Sequence, residues 1–531
     1  MIKRNPLTVF AISSVGLLGL SLSASFASAN GPTDRASPST SATASVPKAQ
    51  CSPGDRMEGG LQGQTTPQER TSGDSRLGYN CNLDLVGQFR GDGALSQNGP
   101  TYFGDCAYYA TADSPLQEQR GVVVIDASDA SKPTATDHLD DTKAMANPHE
   151  TLRAHVGRKL LAAAENNGPN FAVYDLSSDC RHPSLLASIE LPGSVAHMGN
   201  FAPDGRTYYV GQNNRGIGGK LYPVDLDDPA NPKELSPWTF NGNGRPHGVW
   251  LNKDGTRLYA GQPGLFGNTG SSVGPDGLVI DDVSDYQFRL PNPQIRIVST
   301  LFWDDQGQAE EMYPIEVHGR RYVVSTDESG GAGGVGGITG ACNRRASPFG
   351  YPNIIDVTDE TNPKIVAKIM LEVNDPANCE ALAGDPPDAG GGTPAYNVER
   401  CTANRSTNPT LLACGFQNAG LRVFDISDIF HPKEIAYYKP PAPGTAFLPG
   451  SGSWKDGVNT TVDKIAGYMH FHTVVPGQEN AQGRGQGNGA GTTRGPRYEL
   501  WTVSDGNGFQ VLRFSDDFVA RHHELFRGAS N

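Results

Sequence analysis

No CxxC pair occurs among the eight cysteines, so the sequence offers no support for a zinc ribbon or a thioredoxin-type redox motif. Basic clusters are missing too. Lys and Arg total 43 against 57 Asp and Glu, for a formal net charge of −14, and nothing supplies the electrostatic footprint of a nucleic-acid partner. Beyond residue 30 no stretch reaches the roughly 18 apolar residues of a transmembrane helix, so no membrane span is expected. Apolar residues almost nowhere recur at helical spacing, which predicts low helix content. There is no GxSxG elbow, and no Ser can be tied to a His and an Asp as a triad. The glycine-rich stretches 330–340 and 483–491 have the composition of phosphate loops but lack a strand–GxGxxG–helix setting and a Walker lysine-serine pair. They read as insertions or lids on one face of the fold.

What is present points to short strands and tight turns: 65 Gly and 39 Pro are high for a helical chain. At the start, Lys3 and Arg4 precede a mostly apolar Leu7–Phe26 and the small-x-small triplet Ala27-Ser28-Ala29. This pattern predicts a secretory signal peptide over 1–29. Residues 30–78 are rich in Ser, Thr, Ala, Pro, Gly and Gln, and are expected to form a flexible leader because they carry too little apolar surface to offset ordering entropy. In an exported chain, eight cysteines allow up to four disulfides.

An apolar-x-Asp-apolar-Ser/Thr/Asp-Asp core, usually followed by x-Pro, recurs along the chain. It appears as VIDASDASKP (Asp126), VYDLSSDCRHP (Asp175), PVDLDDPANP (Asp225), DDVSDYQFRLPNP (Asp282), IIDVTDETNP (Asp356) and VFDISDIFHP (Asp425), with a weaker copy near Arg513. Periods of about 50 residues indicate a propeller or a solenoid. Each copy reads as a strand ending in a turn whose Asp and Ser/Thr bond their own backbone. Four strands can be read in one unit (AHMGNF, RTYYVGQ, KLYPVDL and KELSPWTF in the third), which is a propeller blade. Units begin near Leu95, His149, His197, His247, Glu311, Tyr396 and His470, and the last supplies only three strands. The missing fourth is available at the N-terminus as NLDLVGQF (82–89). The expected architecture is therefore an all-β, seven-bladed β-propeller over 79–516, closed by an N-terminal strand in the last blade and followed by a C-terminal tail, 517–531. Cys401 and Cys414 fall on neighbouring strands of blade six and are expected to pair. Cys342 and Cys379 bracket the outer half of blade five and form a second expected pair. The connectivity of Cys51, Cys81, Cys106 and Cys180 stays open.

The segments IIDVTDETNPKIV, VFDISDIFHPKEIAYY and VVVIDASDASKP resemble the repeats of the LVIVD-repeat proteins, exported bacterial and archaeal β-propellers. The resemblance spans roughly 82–516 and implies the fold. It implies little about activity, because that family is defined by its repeat.

Four segments place a His or a carboxylate eight residues before a glycine: His149…Gly157, His197…Gly205, His247…Gly255 and Glu311…Gly319. Ser96, Asn397 and His470 are the equivalent positions in the other blades. In a propeller this register lines one mouth of the channel. His149, His197, His247 and His470 are thus expected to bind one transition metal (Cu, Fe or Zn), with Glu311 as a fifth ligand or as an acceptor that fixes a histidine tautomer. Ca²⁺ is disfavoured because the donors are mostly nitrogen. Glu311 and His472, two residues deeper than His470, are the expected proton carriers of any reaction. His155 and His318 fall in turns, and His182, His431, His522 and His523 in exposed connections. Two readings follow: a metal-dependent, oxidoreductase-type enzyme acting on a small molecule outside the cytoplasm, or a non-catalytic surface propeller that presents its loops to a protein partner.

Overall fold

The computed structural model of the chain describes residues 45–112, 120–212, 219–240, 246–263, 276–333, 337–382, 385, 396–444, 448–452, 460–475 and 496–527. The expected signal peptide and the glycine stretch 483–491 lie outside the described residues.

The described strands form seven small antiparallel sheets arranged as a β-propeller. Their first strands are Thr101–Phe103, Arg153–His155, Met198–Phe201, His247–Leu251, Ala309–Val317, Arg400–Ala403 and His470–Val474. Sequence composition follows position within a blade. The second strand of blade two, Leu160–Ala164 (LLAAA), is buried throughout, because blades pack on both of its faces. The fourth, Ser184–Glu190, has no buried residue, as suits an outer edge. The core lies between blades: Met198, Tyr209 and Leu221 of blade three meet Leu258 and Ala260 of blade four.

The repeated Asp does what its chemistry suggests. Asp126, Asp225, Asp282, Asp356 and Asp425 each accept a hydrogen bond from the backbone N–H two residues on, at 2.9–3.0 Å, and Asp175 does so at 3.1 Å. The motif is therefore an Asx turn that ends the third strand of blades one to six.

The chain enters the ring through two blades. Tyr79–Cys81 adds a fifth strand to blade six beside Lys433–Lys439. Asn82 then turns through the left-handed region (φ +59), which Asn tolerates better than most residues. Leu83–Phe89 follows, antiparallel to Gly508–Phe514 on the outer side of blade seven.

Two boundaries differ from the sequence-based expectation. Residues 45–78, expected to be a flexible leader, are ordered against blade six. Thr66 caps the helix Pro67–Ser72 with a full capping box, and Cys51 is bonded to Cys81. Glu58 lies 2.7 Å from Arg422 and 3.1 Å from Lys439, and Gln62 bonds Glu434. Composition reports a segment's own apolar content; here the stabilising partners are the buried cations of blade six, which need counter-charges. The expected tail is also partly core: Ser515 caps the helix Asp516–Arg521, and Phe518, Leu525 and Phe526 pack on blades six and seven. All eight cysteines pair, as Cys51–Cys81, Cys106–Cys180, Cys342–Cys379 and Cys401–Cys414, and both expected pairs are among them. Among the described residues no helix is long and apolar enough to cross a membrane.

Candidate metal centre

First strands of neighbouring blades touch one another from blade one to blade six, so residues at their starts gather at one end of the ring. His149 lies just before the first strand of blade two and takes a left-handed backbone conformation (φ +46), uncommon for a non-glycine residue. This turn lets His149 and its neighbour Glu150 join the same cluster, whereas successive residues of an extended strand point to opposite faces. His197 enters its strand through a hydrogen bond from its N–H to Gly211 O, 3.0 Å.

His247 owes its position to glycine. Gly248 (φ +81) forms a bulge between His247 and Val249. A Cβ there would stand 1.9 Å from Glu310 O, and one at Gly261 would stand 2.1 Å from the same atom. Only glycine at both positions lets the first strand of blade five come this close.

The three imidazoles meet. His197 Nε2 lies 3.2 Å from His247 Nε2, and the His149 and His197 rings are 4.6 Å apart. His247 Nδ1 is 3.3 Å from Ala309 O and His149 Nδ1 is 3.2 Å from His197 O. Donation to these carbonyls leaves the Nε2 lone pairs available, the tautomer a metal ligand needs.

Carboxylates surround the imidazoles. Glu150 Oε1 is 3.8 Å from His149 Nδ1, and Glu150 Oε2 is 3.6 Å from His197 Nε2. Glu328 Oε1 is 3.8 Å from His247 Nε2. Glu310 joins Glu150, His247 and Glu328 in a second ligand-type set. The fully buried Arg400 ties the acids together: its Nη2 is 3.2 Å from Glu150, its Nη1 bonds Glu310, and its Nε is 3.4 Å from Glu311.

These neighbours set the protonation states. Burial raises the Glu150 pKa, but Arg400 and the three imidazoles outweigh it and hold the carboxyl well below the usual range. Burial pushes Glu310 well up; Arg400 offsets this only in part, and Glu328, Glu150 and Glu399 add to it. Burial, then Glu150 and Glu399, do the same to Glu328. Burial drives His197 well below its ordinary value and His247 below it as well. Both rings are thus neutral and able to ligate.

The other expected ligands lie elsewhere, and this corrects the four-histidine reading. Glu311 is not in the imidazole cluster. A register shift between Ala309 and Met312 turns Glu310 to the histidines. Glu311 instead accepts from Tyr468 Oη, 2.6 Å away, and from Trp250 Nε1. His470 stacks on Tyr102, with ring centroids 4.9 Å apart, and tilts against Trp501. His472 stacks on Trp501 at 4.5 Å and has Asp105 4.0 Å from its Nε2. Among the described residues, neither His470 nor His472 belongs to a ligand-type set. Asn397 Oδ1 accepts from Gly350 N, and Ser96 is buried beside Asp505. The residues missed from sequence are Glu150, Glu310, Glu328 and Arg400. The His149-Glu150 and Glu310-Glu311 doublets were the available signals, but the eight-before-glycine register assigned only one residue of each to the channel.

The donor set suits a transition metal. It offers neutral imidazoles beside an ionised carboxylate, and the buried Glu150 Oε2 and Glu310 Oε2 accept no hydrogen bond.

No family model and no curated protein matches the sequence. Solved structures with a similar fold include Saccharomyces cerevisiae Sqt1, with 9% identity, 81% of this chain and 99% of that one covered, and a TM-score of 0.45. The WD40 domain of Toxoplasma gondii coronin has 10% identity, 81% and 85% coverage and a TM-score of 0.45. The β-propeller domain of Myceliophteria thermophila Cps50 (Swd1) has 10% identity, 82% and 99% coverage and a TM-score of 0.44. These likenesses concern the propeller architecture alone.

Proposed function

We propose that the chain binds a transition-metal ion (Cu, Fe or Zn) through His149, His197 and His247 with Glu150, and acts as a metal-dependent, oxidoreductase-type enzyme on a small molecule. The observation that carries this reading is the 3.2 Å separation of His197 Nε2 and His247 Nε2. Two nitrogens bonded to one metal at about 2.0–2.1 Å stand roughly 2.9–3.4 Å apart for cis or tetrahedral angles. The pair is already spaced as ligands of a common ion.

When bound, such an ion supplies Lewis acidity or electron transfer. The chain's own residues do the rest. Arg400 fixes the orientation of Glu150 and Glu310, so the ligands are held before the metal arrives. Glu328 is partly exposed (18%) and close to His247, and its raised pKa equips it to hold a proton at the mouth. Four disulfides in the described chain support export to an oxidising compartment, and the six Asx turns support the likeness to LVIVD-repeat proteins.

The test is elemental analysis of wild type beside His197→Ala and His247→Ala. Near-stoichiometric metal in wild type, lost in both folded variants, is the expected result. Wild type that stays metal-free after reconstitution with Cu, Fe and Zn overturns the reading and leaves the protein-binding scaffold.

A further inference from the structure

We infer that Lys464 and Gln97 become joined by an intramolecular isopeptide bond, which the chain forms by itself with Glu399 as the proton carrier. The bond needs no metal, so it stands or falls apart from the reading above.

Three blades supply the three groups. Gln97 lies in the segment that leads into the first strand of blade one, and Lys464 in the segment that leads into blade seven. Glu399 directly precedes the first strand of blade six. Lys464 Nζ is 3.3 Å from Gln97 Oε1 and 3.3 Å from Glu399 Oε1. The carboxamide carbon lies about 1.2 Å beyond that Gln97 oxygen, within the sweep of the flexible lysine stem. An amine beside both a carboxamide and a carboxylate is the set of groups that transamidation requires.

Asp505 holds both reactants in place. Its N–H donates to Lys464 O, 3.0 Å, and its C=O accepts from Ala94 N–H, 2.8 Å. Its carboxylate accepts from Ser96 N–H, 2.8 Å. One residue thus fixes the backbone at Lys464 and beside Gln97. Glu399 is anchored by Gln417 Nε2 at 2.6 Å, and its buried Oε2 accepts no hydrogen bond. The side chains of Lys464 and Glu399 are only 12% and 2% exposed, so little water competes for the carboxamide. Fixed approach of this kind is worth an effective molarity of about 10⁵–10⁸ M, and a placed acid–base group adds about 10²–10⁴-fold.

The step balances without an oxidant or a cofactor. Glu399 takes the ammonium proton of Lys464, and the freed amine attacks Gln97 Cδ. Glu399 hands its proton to Nε2 and takes one from Nζ. The Cδ–Nε2 electron pair then leaves with ammonia, and an Nζ–Cδ amide remains.

The bond would lie where the ring lacks another covalent tie. The disulfides join blade one to blade two, Cys342 to Cys379, the first two strands of blade six, and the ordered leader to blade six. None spans blades seven and one. Lys464 and Gln97, 367 residues apart in sequence, meet at that joint.

The test is peptide mapping by mass spectrometry of the full chain after its disulfides are reduced. Wild type is expected to yield a branched peptide joining Lys464 to Gln97, lighter than the sum of its two arms by one ammonia molecule. Lys464→Arg and Glu399→Gln should yield the separate peptides only. Both should also run more slowly than wild type in a reducing, denaturing gel, because the cross-link restricts the unfolded chain. Separate, unmodified Lys464 and Gln97 peptides in wild type overturn the bond. A branched peptide that still forms in Glu399→Gln overturns the role given to Glu399.

Discussion

The molecule holds two groups of histidines in or just before the first strands of different blades, and they have different surroundings. His149, His197 and His247 converge among Glu150, Glu310 and Glu328. His470 and His472 sit in an aromatic box of Tyr102 and Trp501. Both groups are desolvated, and burial lowers the pKa of His197, His247, His470 and His472 alike. The difference lies in what could compensate a positive charge. Beside the first group, ionised Glu150 stabilises a cation; beside His470 the next-largest influence is another histidine. The first group keeps the imidazole and carboxylate donors an ion would need, whereas His470, held between Tyr102 and Trp501, serves as packing surface.

The largest effect expected from this contrast is in metal content. His197→Ala should weaken metal binding by at least about 100-fold, since loss of an outer partner alone costs roughly 10–100-fold. His470→Ala should keep the metal and lose about 2–4 kcal/mol of stability from the emptied stack. Equilibrium dialysis and denaturant titration of both variants read the two outcomes, and equal metal loss in both would erase the distinction between the groups.

Glu150→Gln should come next, with metal affinity down roughly 10–100-fold and the fold retained. It removes the one carboxylate common to both ligand sets while keeping its shape.

Gly248→Ala tests the bulge that aims His247. Its Cβ would press on Glu310 O, and φ +81 disfavours any side chain. A loss of about 2 kcal/mol or more is expected, accompanied by weaker metal binding. A matching change at Gly319, where a Cβ meets nothing within 4 Å, should leave metal binding intact.

The smallest effect concerns acid stability. The folded-state pKa of His470 is pushed down to about 3 from the ordinary 6.5, by burial first and then by His472. As pH falls below about 6.5 the unfolded chain takes up the proton first, so stability declines until about pH 3 and levels off there. His470→Phe should flatten part of that decline in chemical denaturation run from pH 7 to pH 4. An unchanged slope would show that the ring finds water or a partner when folded.

The fold was legible because its signals are local. The alternation of each strand and the Asp that bonds a backbone N–H two residues on are contained within a few positions. For the same reason Cys401 and Cys414 could be matched: they face each other on adjacent strands. The leader was misread because Glu58 finds Arg422 and Lys439 more than 360 residues away.

At the candidate metal centre the sequence alone determined that blades two, three and four carry a histidine in one register, because equal spacing from a hairpin turn places equal positions at the same height. Only the tertiary structure decided which residues join them. A left-handed backbone at His149 brings in Glu150, and a register shift before Met312 exchanges Glu311 for Glu310. Strand side chains alternate with a period of two, so a one-residue irregularity reverses which neighbour faces the channel. Such irregularities are set by close packing, as where the Glu310 carbonyl lies against Gly248 and Gly261. His470 packs instead on Trp501, its cross-strand partner within blade seven, and on Tyr102, a ring contact that exists only once blades one and seven have come together.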